Sequence, residues 1–444
     1  MPEVISPNSG LPAGAWSPTP EAEITARLAS LPRGLAILAD AKERRQRLES
    51  LAKVIAAEKD EFASLIVAEV GKTPAEAADE FDYAISFITF AAQSADTLES
   101  LSERRGERVI KAVPAGPALL ITPFNDPLAG ITRKIAPALA CGCPAIVKPS
   151  SLAHLTAAKL FACIDKAGLG DVLGLANHTD RAVLDRLIRD PVFRVLSFTG
   201  STATGTALAT AAAGSLKRLV LELGGNNPFL VIDGADVPQA AADAVARKLR
   251  AAGQACSAQN RIYVVDSLHA AFRDALFARL SQVTYGASDS GVVMGPVRTL
   301  QAVEALRALA AESGRSGAVH SFGTPRSAEA ACAFPPTVVE NDTALRSHEA
   351  FGPLMSVTSV PDRASAFAIA AGETQALACY VYGDPRPEEI AMLRFGSVGI
   401  NTTRIQGPDV PTGGFGTAGI GREGGRWGLE EFITTVNQRW AKAE

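Results

Sequence analysis

From Glu21 to about Ala68 the apolar positions recur at helical spacing. Leu48, Leu51, Val54 and Ile55 fall on one face, and the run Lys42 to Arg47 falls on the other. That pattern predicts amphipathic helices with a solvated charged side. A further helix is predicted from about Pro74 to Thr97, Pro74 suiting its first turn. Beyond the polar segment Glu103 to Lys111 the pattern changes. Ala118-Leu-Leu-Ile-Thr122 and Pro144-Ala-Ile-Val-Lys148 are short apolar runs that each stop at a proline, and Pro127 to Ala140 between them has helical spacing. Val195-Leu-Ser-Phe198 and Arg218-Leu-Val-Leu-Glu222 follow, each leading into a glycine-containing turn. Strand-like runs alternating with helices predict an α/β fold built on a doubly wound parallel sheet. In such sheets ligands collect at the carboxyl ends of the strands. Asn125, Lys148, Gly200 and Glu222 all fall just past a predicted strand end.

A second α/β stretch begins near Phe229. It runs through a helical segment, Ala240 to Leu249, then Cys256, then a strand-like run from Ile262 to Val265. Helical pieces near 270–282 and 297–312 and strand-like runs at Val338-Val339 and Tyr380-Val-Tyr382 continue it. The stretch Gly413 to Gly425 is rich in glycine, and a short helix and the run Phe432 to Asn437 close the chain. Residues 1–20, with several Pro, Gly and Ser, are expected to form an irregular arm. Two motifs are decoys. Gly71-Lys72-Thr73 resembles the end of a phosphate-binding loop, but Ile66 stands where its first glycine is required. Gly414-Phe-Gly416-Thr-Ala-Gly419 spells GxGxxG, yet no clear strand leads into it and no helix opens on it. Both read as backbone turns.

At 444 residues the chain is too long for one core and calls for two or three domains. Its 47% apolar and 20% charged residues are ordinary for a soluble enzyme and exclude wholesale disorder. A net charge of −4 gives no electrostatic reason to expect nucleic acid or an acidic membrane. Cys141, Cys143, Cys163, Cys256, Cys332 and Cys379 form no metal-binding pattern, and Cys141 and Cys143 sit in an apolar run that reads as core. Unpaired, scattered thiols suit a reducing compartment. Met1 to Ser17 lacks the form of a signal peptide, and no apolar run reaches the roughly 18 residues of a membrane span. The expectation is a soluble, cytoplasmic protein without a metal.

Cys256, between a helix-like segment with its glycine and a strand-like run, is by itself most often a small buried hydrophobe. Its companions change that reading. Glu222 stands in Leu221-Glu-Leu-Gly-Gly225, 34 residues before it. Asn125 stands in Thr122-Pro123-Phe124-Asn125, Lys148 in Val147-Lys-Pro-Ser150, Gly200 and Ser201 in Thr199-Gly-Ser-Thr202, and Glu349 in His348-Glu-Ala-Phe351-Gly-Pro353. Taken together and in this order, the motifs resemble the aldehyde dehydrogenase superfamily over nearly the whole chain. The resemblance implies an NAD(P)-binding domain from 1–97 and 117–224 and a catalytic domain over 225–415. It also implies a small β oligomerisation arm from 98–116 and 430–444, in a homodimer or homotetramer. It implies that Cys256 attacks an aldehyde, that Asn125 and the Cys256 backbone N–H hold the oxyanion, and that Glu222 activates water to cleave a thioester. It also counts Lys148 among the catalytic residues and sets it, with Glu349, near the two ribose rings, with Ser201 near the pyrophosphate. Retention of Glu222 argues against the coenzyme A-acylating branch.

The same resemblance sets Thr122, Pro123, Phe124, Lys148, Ser150, Ser151, Gly200, Ser201, Gly205, Leu223, Glu349 and Phe351 around NADP or NAD. Where many NAD-preferring members have a glutamate, this chain has Ser151, which neither repels nor crowds a 2′-phosphate. The nearest branch resembles the succinate-semialdehyde dehydrogenases, through Ile131-Thr-Arg-Lys134, Asn260-Arg-Ile-Tyr-Val and Gly421-Arg-Glu-Gly. Arg133 and Arg250 match two arginines that bind the substrate carboxylate there, and converging guanidiniums call for an anion. Their plainer readings are a helix-surface charge and a charge at a helix C-terminus. The chain also departs from that branch. Gln406-Gly407 replaces a serine pair, Arg404 adds a positive charge, and Ser257-Ala258 leaves no second thiol beside Cys256. Asp126 replaces an aromatic or apolar neighbour, and His154 stands where proline is frequent. A phosphono-, sulfo- or neutral aldehyde therefore stays open beside a semialdehyde, as does a cofactor-independent thiol esterase.

Overall fold

The computed structural model describes residues 1–288, 291–326, 330–342 and 344–440. The last four positions of the predicted arm, 441–444, lie outside the described residues.

Two sheets carry the molecule. The first has strands in the spatial order Gly419–Ile420, Arg218–Glu222, Val195–Thr199, Ala118–Ile121, Ala145–Lys148 and Leu173–Leu175, all parallel except the short edge strand Gly419–Ile420. The strand order reverses between Ala118–Ile121 and Val195–Thr199, whose two crossovers leave in opposite directions and open a crevice past their carboxyl ends. Buried strands flanked by helices on both faces need apolar residues throughout, and Ala118–Leu120 and Val195–Thr199 are buried without interruption.

The second sheet runs Val319–Ser321, Thr337–Glu340, Leu354–Val360, Gln259–Val265, Asn227–Val231, Ala378–Tyr382 and Ser397–Ile400. Only the edge strand Val319–Ser321 is antiparallel. Each sheet has its own core. Leu51, Ile66, Ile88 and Ile135 lie in one, and Phe229, Phe272, Leu276 and Val357 in the other.

The segments 98–116 and 430–440 meet in a three-stranded antiparallel sheet, with Arg108–Pro114 between Glu103–Arg105 and Ile433–Arg439. Residues 1–20 differ from the irregular arm expected of them. Glu3–Ile5 and Pro12–Ala15 form a hairpin, and Trp16 stacks on His154 with ring centroids 3.6 Å apart. The stack accounts for a histidine at the start of the helix His154–Lys166: its ring is the platform that holds this end of the chain.

Both decoys are turns. Gly71 takes a left-handed φ of 79° to end the helix Lys59–Val70, and Thr73 caps the helix Pro74–Gln93 by accepting from the Glu76 N–H. Gly416, at φ 62°, turns the chain toward Gly419, which pairs with Glu222 at the edge of the first sheet.

Candidate active site

The nucleophile loop is shaped by a forced turn. The helix Val237–Leu249 ends at Arg250, and Ala251 and Ala252 both take left-handed φ values, 50° and 52°. Such a conformation costs an alanine about 1–2 kcal/mol, so it persists only where neighbours impose it. Here Glu76 Oε1 accepts the Ala251 N–H at 2.7 Å, and the Ala251 carbonyl takes both the backbone and side-chain N–H of Gln254. Gln254 Oε1 in turn accepts the Arg298 N–H at 2.9 Å. Gly253 has no substitute, because a Cβ there would lie 2.2 Å from the Gly352 carbonyl oxygen. Asn227 Nδ2 donates to the Cys256 carbonyl at 2.7 Å and fixes the residue from below.

Glu222, at the end of its strand, is 1% exposed, and its Oε1 accepts from the Cys256 thiol at 3.1 Å. The sequence-predicted nucleophile and base are therefore in direct contact. Burial pushes the Cys256 thiol well up, and the neighbouring Glu222 charge adds to it, while Arg133 opposes. Burial likewise raises the Glu222 carboxyl against the pull of Arg133. Both shifts favour the uncharged form, and the Glu222 carboxyl stands within hydrogen-bond reach of the uncharged thiol.

Two openings converge on this pair. The larger is a cleft of about 570 Å³ at the carboxyl ends of the first sheet, mostly apolar in its lining. It brings together Thr122, Pro123, Phe124, Asn125, Lys148, Ser150, Ser151, Gly200, Ser201, Leu223, Glu349 and Phe351, with Glu222 and Cys256 at its inner end. Gly205 does not reach it. It lets the helix Thr202–Ala212 close on Leu223, where a Cβ would fall 2.4 Å from that side chain. Ser201 caps this helix and leaves its first N–H groups facing the cleft, an arrangement suited to phosphate. Burial lowers the Lys148 ammonium from its ordinary value. Gly224 gives Glu349 its space, since a Cβ there would lie 2.2 Å from Oε2. The volume, the apolar walls, the helix N-terminus and the buried Lys148 fit a nicotinamide dinucleotide.

The smaller opening is a chamber of about 20 Å³, room for about one water. Asn125, Arg133, Glu222, Arg250 and Cys256 all line it, as the sequence reading expects, and so does Asp126. Arg133 is no helix-surface charge. It is 5% exposed and its Nε pairs with Glu423 Oε2 at 3.2 Å, while its Nη1 is buried with no hydrogen-bond partner. Arg250, by contrast, makes no ion pair within 4 Å and no side-chain hydrogen bond among the described residues. Arg404 is not on the chamber wall. It is exposed to solvent, because Ile405 packs against the second core and turns it outward; Gln406 forms the wall instead.

Sequence reading missed several charged residues here. Lys134 donates to Ser197 Oγ at 2.8 Å and is paired with Glu423. Lys72, dismissed with its decoy motif, is buried and paired with both Glu80 and Asp126. Lys248, fully buried, donates to Asn260 Oδ1 at 2.7 Å and to the Ala350 carbonyl beside Glu349. The available signal was a charge inside an apolar helical run, as at Lys134, since such a residue is either misplaced or paired.

Comparison with known proteins decides what this constellation is. The model of the aldehyde dehydrogenase family matches residues 3–437. The chain belongs to the aldehyde dehydrogenase family. Among its relatives is a non-phosphorylating aspartate-semialdehyde dehydrogenase of Halomonas elongata, 36% identical over 89% of this chain and 83% of that protein. An NADP-dependent succinate-semialdehyde dehydrogenase of Escherichia coli is also 36% identical, over 88% of this chain and 84% of its own length. The crystal structure of succinate-semialdehyde dehydrogenase from Burkholderia pseudomallei superposes with a TM-score of 0.92 at 31% identity, covering 98% of this chain and 93% of that one. As an aldehyde dehydrogenase the chain carries the family's α/β fold. No helix among the described residues is long and apolar enough to cross a membrane, and no group of side chains there could hold a metal ion.

Proposed function

We propose that this aldehyde dehydrogenase oxidises a small anionic aldehyde, of the succinate-semialdehyde kind, to its carboxylic acid with NADP or NAD. The observation that carries the reading is Arg250. A guanidinium with no ion pair within 4 Å among the described residues, supported only at longer range by Asp126, Glu76 and Glu80, stands on the wall of a small chamber beside Cys256 and suits an anion on the substrate. The semialdehyde activities of relatives more than a third identical point the same way.

The steps follow from the residues. Cys256 passes its proton to Glu222 and its sulfur bonds to the carbonyl carbon, giving a thiohemiacetal whose oxygen takes the Asn125 amide and the Cys256 N–H. Asn125 makes no hydrogen bond to the protein among the described residues, so its amide is free for that oxygen. The bound nicotinamide supplies the hydride acceptor. Lys148, Ser151, Ser201 and Glu349 would hold the dinucleotide in the cleft. Glu222 first gives up the proton it took from Cys256. Water then attacks the thioester on Cys256 and gives its proton to Glu222, which passes it to the departing sulfur, so that acid and thiol are released. Burial raises the Glu222 carboxyl and so strengthens it as a base. Glu423, paired with Arg133 and Lys134, places a second negative charge near Glu222 that helps to raise its carboxyl. With room for about one water, the chamber would have to widen even for a four-carbon aldehyde, and a long aliphatic one is disfavoured further.

The same reading divides the chain as its resemblance implies, into an NAD(P)-binding domain (1–97 and 117–224), a catalytic domain (225–415) and an arm (98–116 and 430–444). It makes the exposed three-stranded sheet an assembly surface in a homodimer or homotetramer. The test is a panel of short aldehydes differing in terminal charge, read by reduced-nicotinamide absorbance with each cofactor, beside Cys256→Ala. Anionic aldehydes should be turned over with the highest kcat/KM, and the variant should be inactive while still binding cofactor. Undiminished oxidation by the variant sinks the mechanism. Ester cleavage by the wild type without aldehyde oxidation would favour a thiol esterase instead.

A further inference from the structure

Asp126 is a carboxylate in a chamber assigned to an anionic substrate. It directly follows the oxyanion residue Asn125, and both line the chamber with Cys256 and Arg250. Its side chain is 23% exposed, while its partner Lys72 is 3% exposed and lies behind it. Lys72 bonds Asp126 Oδ1 and, with its other side, Glu80 Oε2 at 2.6 Å. Glu80 is committed in its turn, its Oε1 accepting the N–H groups of Leu128 and Ala129 at the start of the helix Ala129–Ala140. Asp126 Oδ2 has no partner among the described residues. Burial works against the charge on Asp126, but Lys72 and Arg250 outweigh it and hold the carboxyl well below the usual carboxylate range. The chamber thus presents one guanidinium without a partner, Arg250, and one carboxylate oxygen without a donor.

We propose that Asp126 is a specificity-determining residue, whose unpartnered oxygen selects short acid aldehydes that carry a hydrogen-bond donor, a hydroxyl or an ammonium, between the aldehyde and the acid. The proposal rests on the anionic-aldehyde reading given above and adds a second polar requirement to it. An aldehyde with an acid alone places its anion near two acidic oxygens and leaves Oδ2 desolvated and unpaired. One with a donor satisfies both walls, its acid on Arg250 and its donor on Asp126. A site built to receive a donor discriminates strongly against the analogue that lacks it, because the bound analogue excludes water from the acceptor and gives it no partner in return. Arg133 shares Glu423 with Lys134 and keeps a buried Nη1 without a hydrogen-bond partner, so it offers the substrate acid a second donor beside Arg250 and leaves the requirement at Asp126 unchanged.

The experiment compares kcat/KM for succinate semialdehyde and for its 2-amino and 2-hydroxy derivatives, with the full-length enzyme at saturating cofactor. The wild type should prefer at least one substituted aldehyde over the parent by about 10-fold or more. In Asp126→Asn the preference for the ammonium compound should fall at least about 10-fold, the charge of its acceptor being lost. The preference for the hydroxyl compound should fall less, because the asparagine carbonyl still accepts. Losing Asp126 alone leaves Lys72 short of a partner, so Lys72→Met/Asp126→Leu, with its thermal melting checked, is measured in parallel. In that folded double variant both preferences should disappear. An active wild type whose ratios neither variant changes overturns the proposal alone. A wild type that oxidises none of the three aldehydes overturns the anionic-aldehyde reading and the proposal with it.

Discussion

The large cleft and the small chamber meet at Cys256 and Glu222, and they are made differently. Leu119, Ile121, Leu184, Leu187, Ile188, Phe198 and Leu208 give the cleft apolar walls, and its polar groups stand singly at strand ends and at one helix N-terminus. The chamber is enclosed by charges in contact with other charges: Arg133 on Glu423, Asp126 on Lys72, Lys72 on Glu80. A preformed apolar cleft gives affinity and tolerates change at its margins. A charged chamber gives selectivity, and every removal there leaves a partner exposed to the full cost of its burial. Substitutions in the two regions should therefore separate, one set moving the cofactor constants and the other the aldehyde constants.

The largest effect belongs where the two regions join. Asn125 lines both, and Asn125→Ala should lower kcat/KM for the aldehyde about 100- to 1000-fold, the usual loss for one oxyanion donor. Cofactor affinity, followed by fluorescence titration, should change little. A large loss of cofactor affinity instead would mean that this residue serves the cleft and not the reacting carbon.

Next is the chamber. Arg250→Gln should raise KM for an anionic aldehyde by about 30-fold or more, the lower end for removing one member of a desolvated charge pair. It should raise KM for a neutral aldehyde much less. Equal effects on both would assign Arg250 to the shape of the nucleophile loop rather than to the substrate. Smaller again is the cleft margin. Ser151 is exposed, and Ser151→Glu should reduce kcat/KM for NADP relative to NAD by about 10-fold, a like-charge contact at a solvated site costing about 1 kcal/mol or somewhat more. Aldehyde selectivity should stay as it was. A ratio of cofactors that does not move would show that the 2′ position lies away from this loop.

The same division marks what was legible in the sequence. The strands of the first sheet end where short apolar runs meet Pro123, Pro149, Gly200 and Gly224, so the residues of the cleft could be named from local pattern and family likeness together. The helix expected to run to Thr97 stops at Gln93 and restarts at Thr97, a small error at a boundary where Ser94 takes over the last carbonyls. In the chamber the lining residues could be named from the sequence, but the partners that hold their charges could not. Glu423 arrives from the glycine-rich end of the chain and Lys72 from a turn between helices. Charge pairing across such separations leaves no periodicity to read. Arg404 shows the same limit, since a positive charge near the right loop carries no sign of which way it faces until Ile405 is seen in the core.

The smallest expected effect tests whether the cleft is as free of charge coupling as it looks. Glu349 is pushed up to about 7 by burial, with Lys248 opposing, and Lys248 is itself drawn down to about 7 by burial. Below that pH Glu349 carries its proton and Lys248 its charge; above it Glu349 is a carboxylate and Lys248 is neutral. A carboxylate is the stronger acceptor for ribose hydroxyls, so cofactor KM should fall as the pH rises from about 6 to about 8. The change should be a few-fold, the worth of one hydrogen bond of about 1 kcal/mol. Glu349→Gln cannot ionise and should flatten that profile, while the dependence of kcat on pH, governed by Glu222 and Cys256, should keep its form. If the cofactor profile is flat in the wild type, Glu349 does not change charge over this range, and the cleft recognises the dinucleotide by shape and phosphate contacts alone. If it is steep, the buried Lys248 beside the Ala350 carbonyl gives the cleft a charge pair of its own, and the contrast between the two regions becomes one of degree.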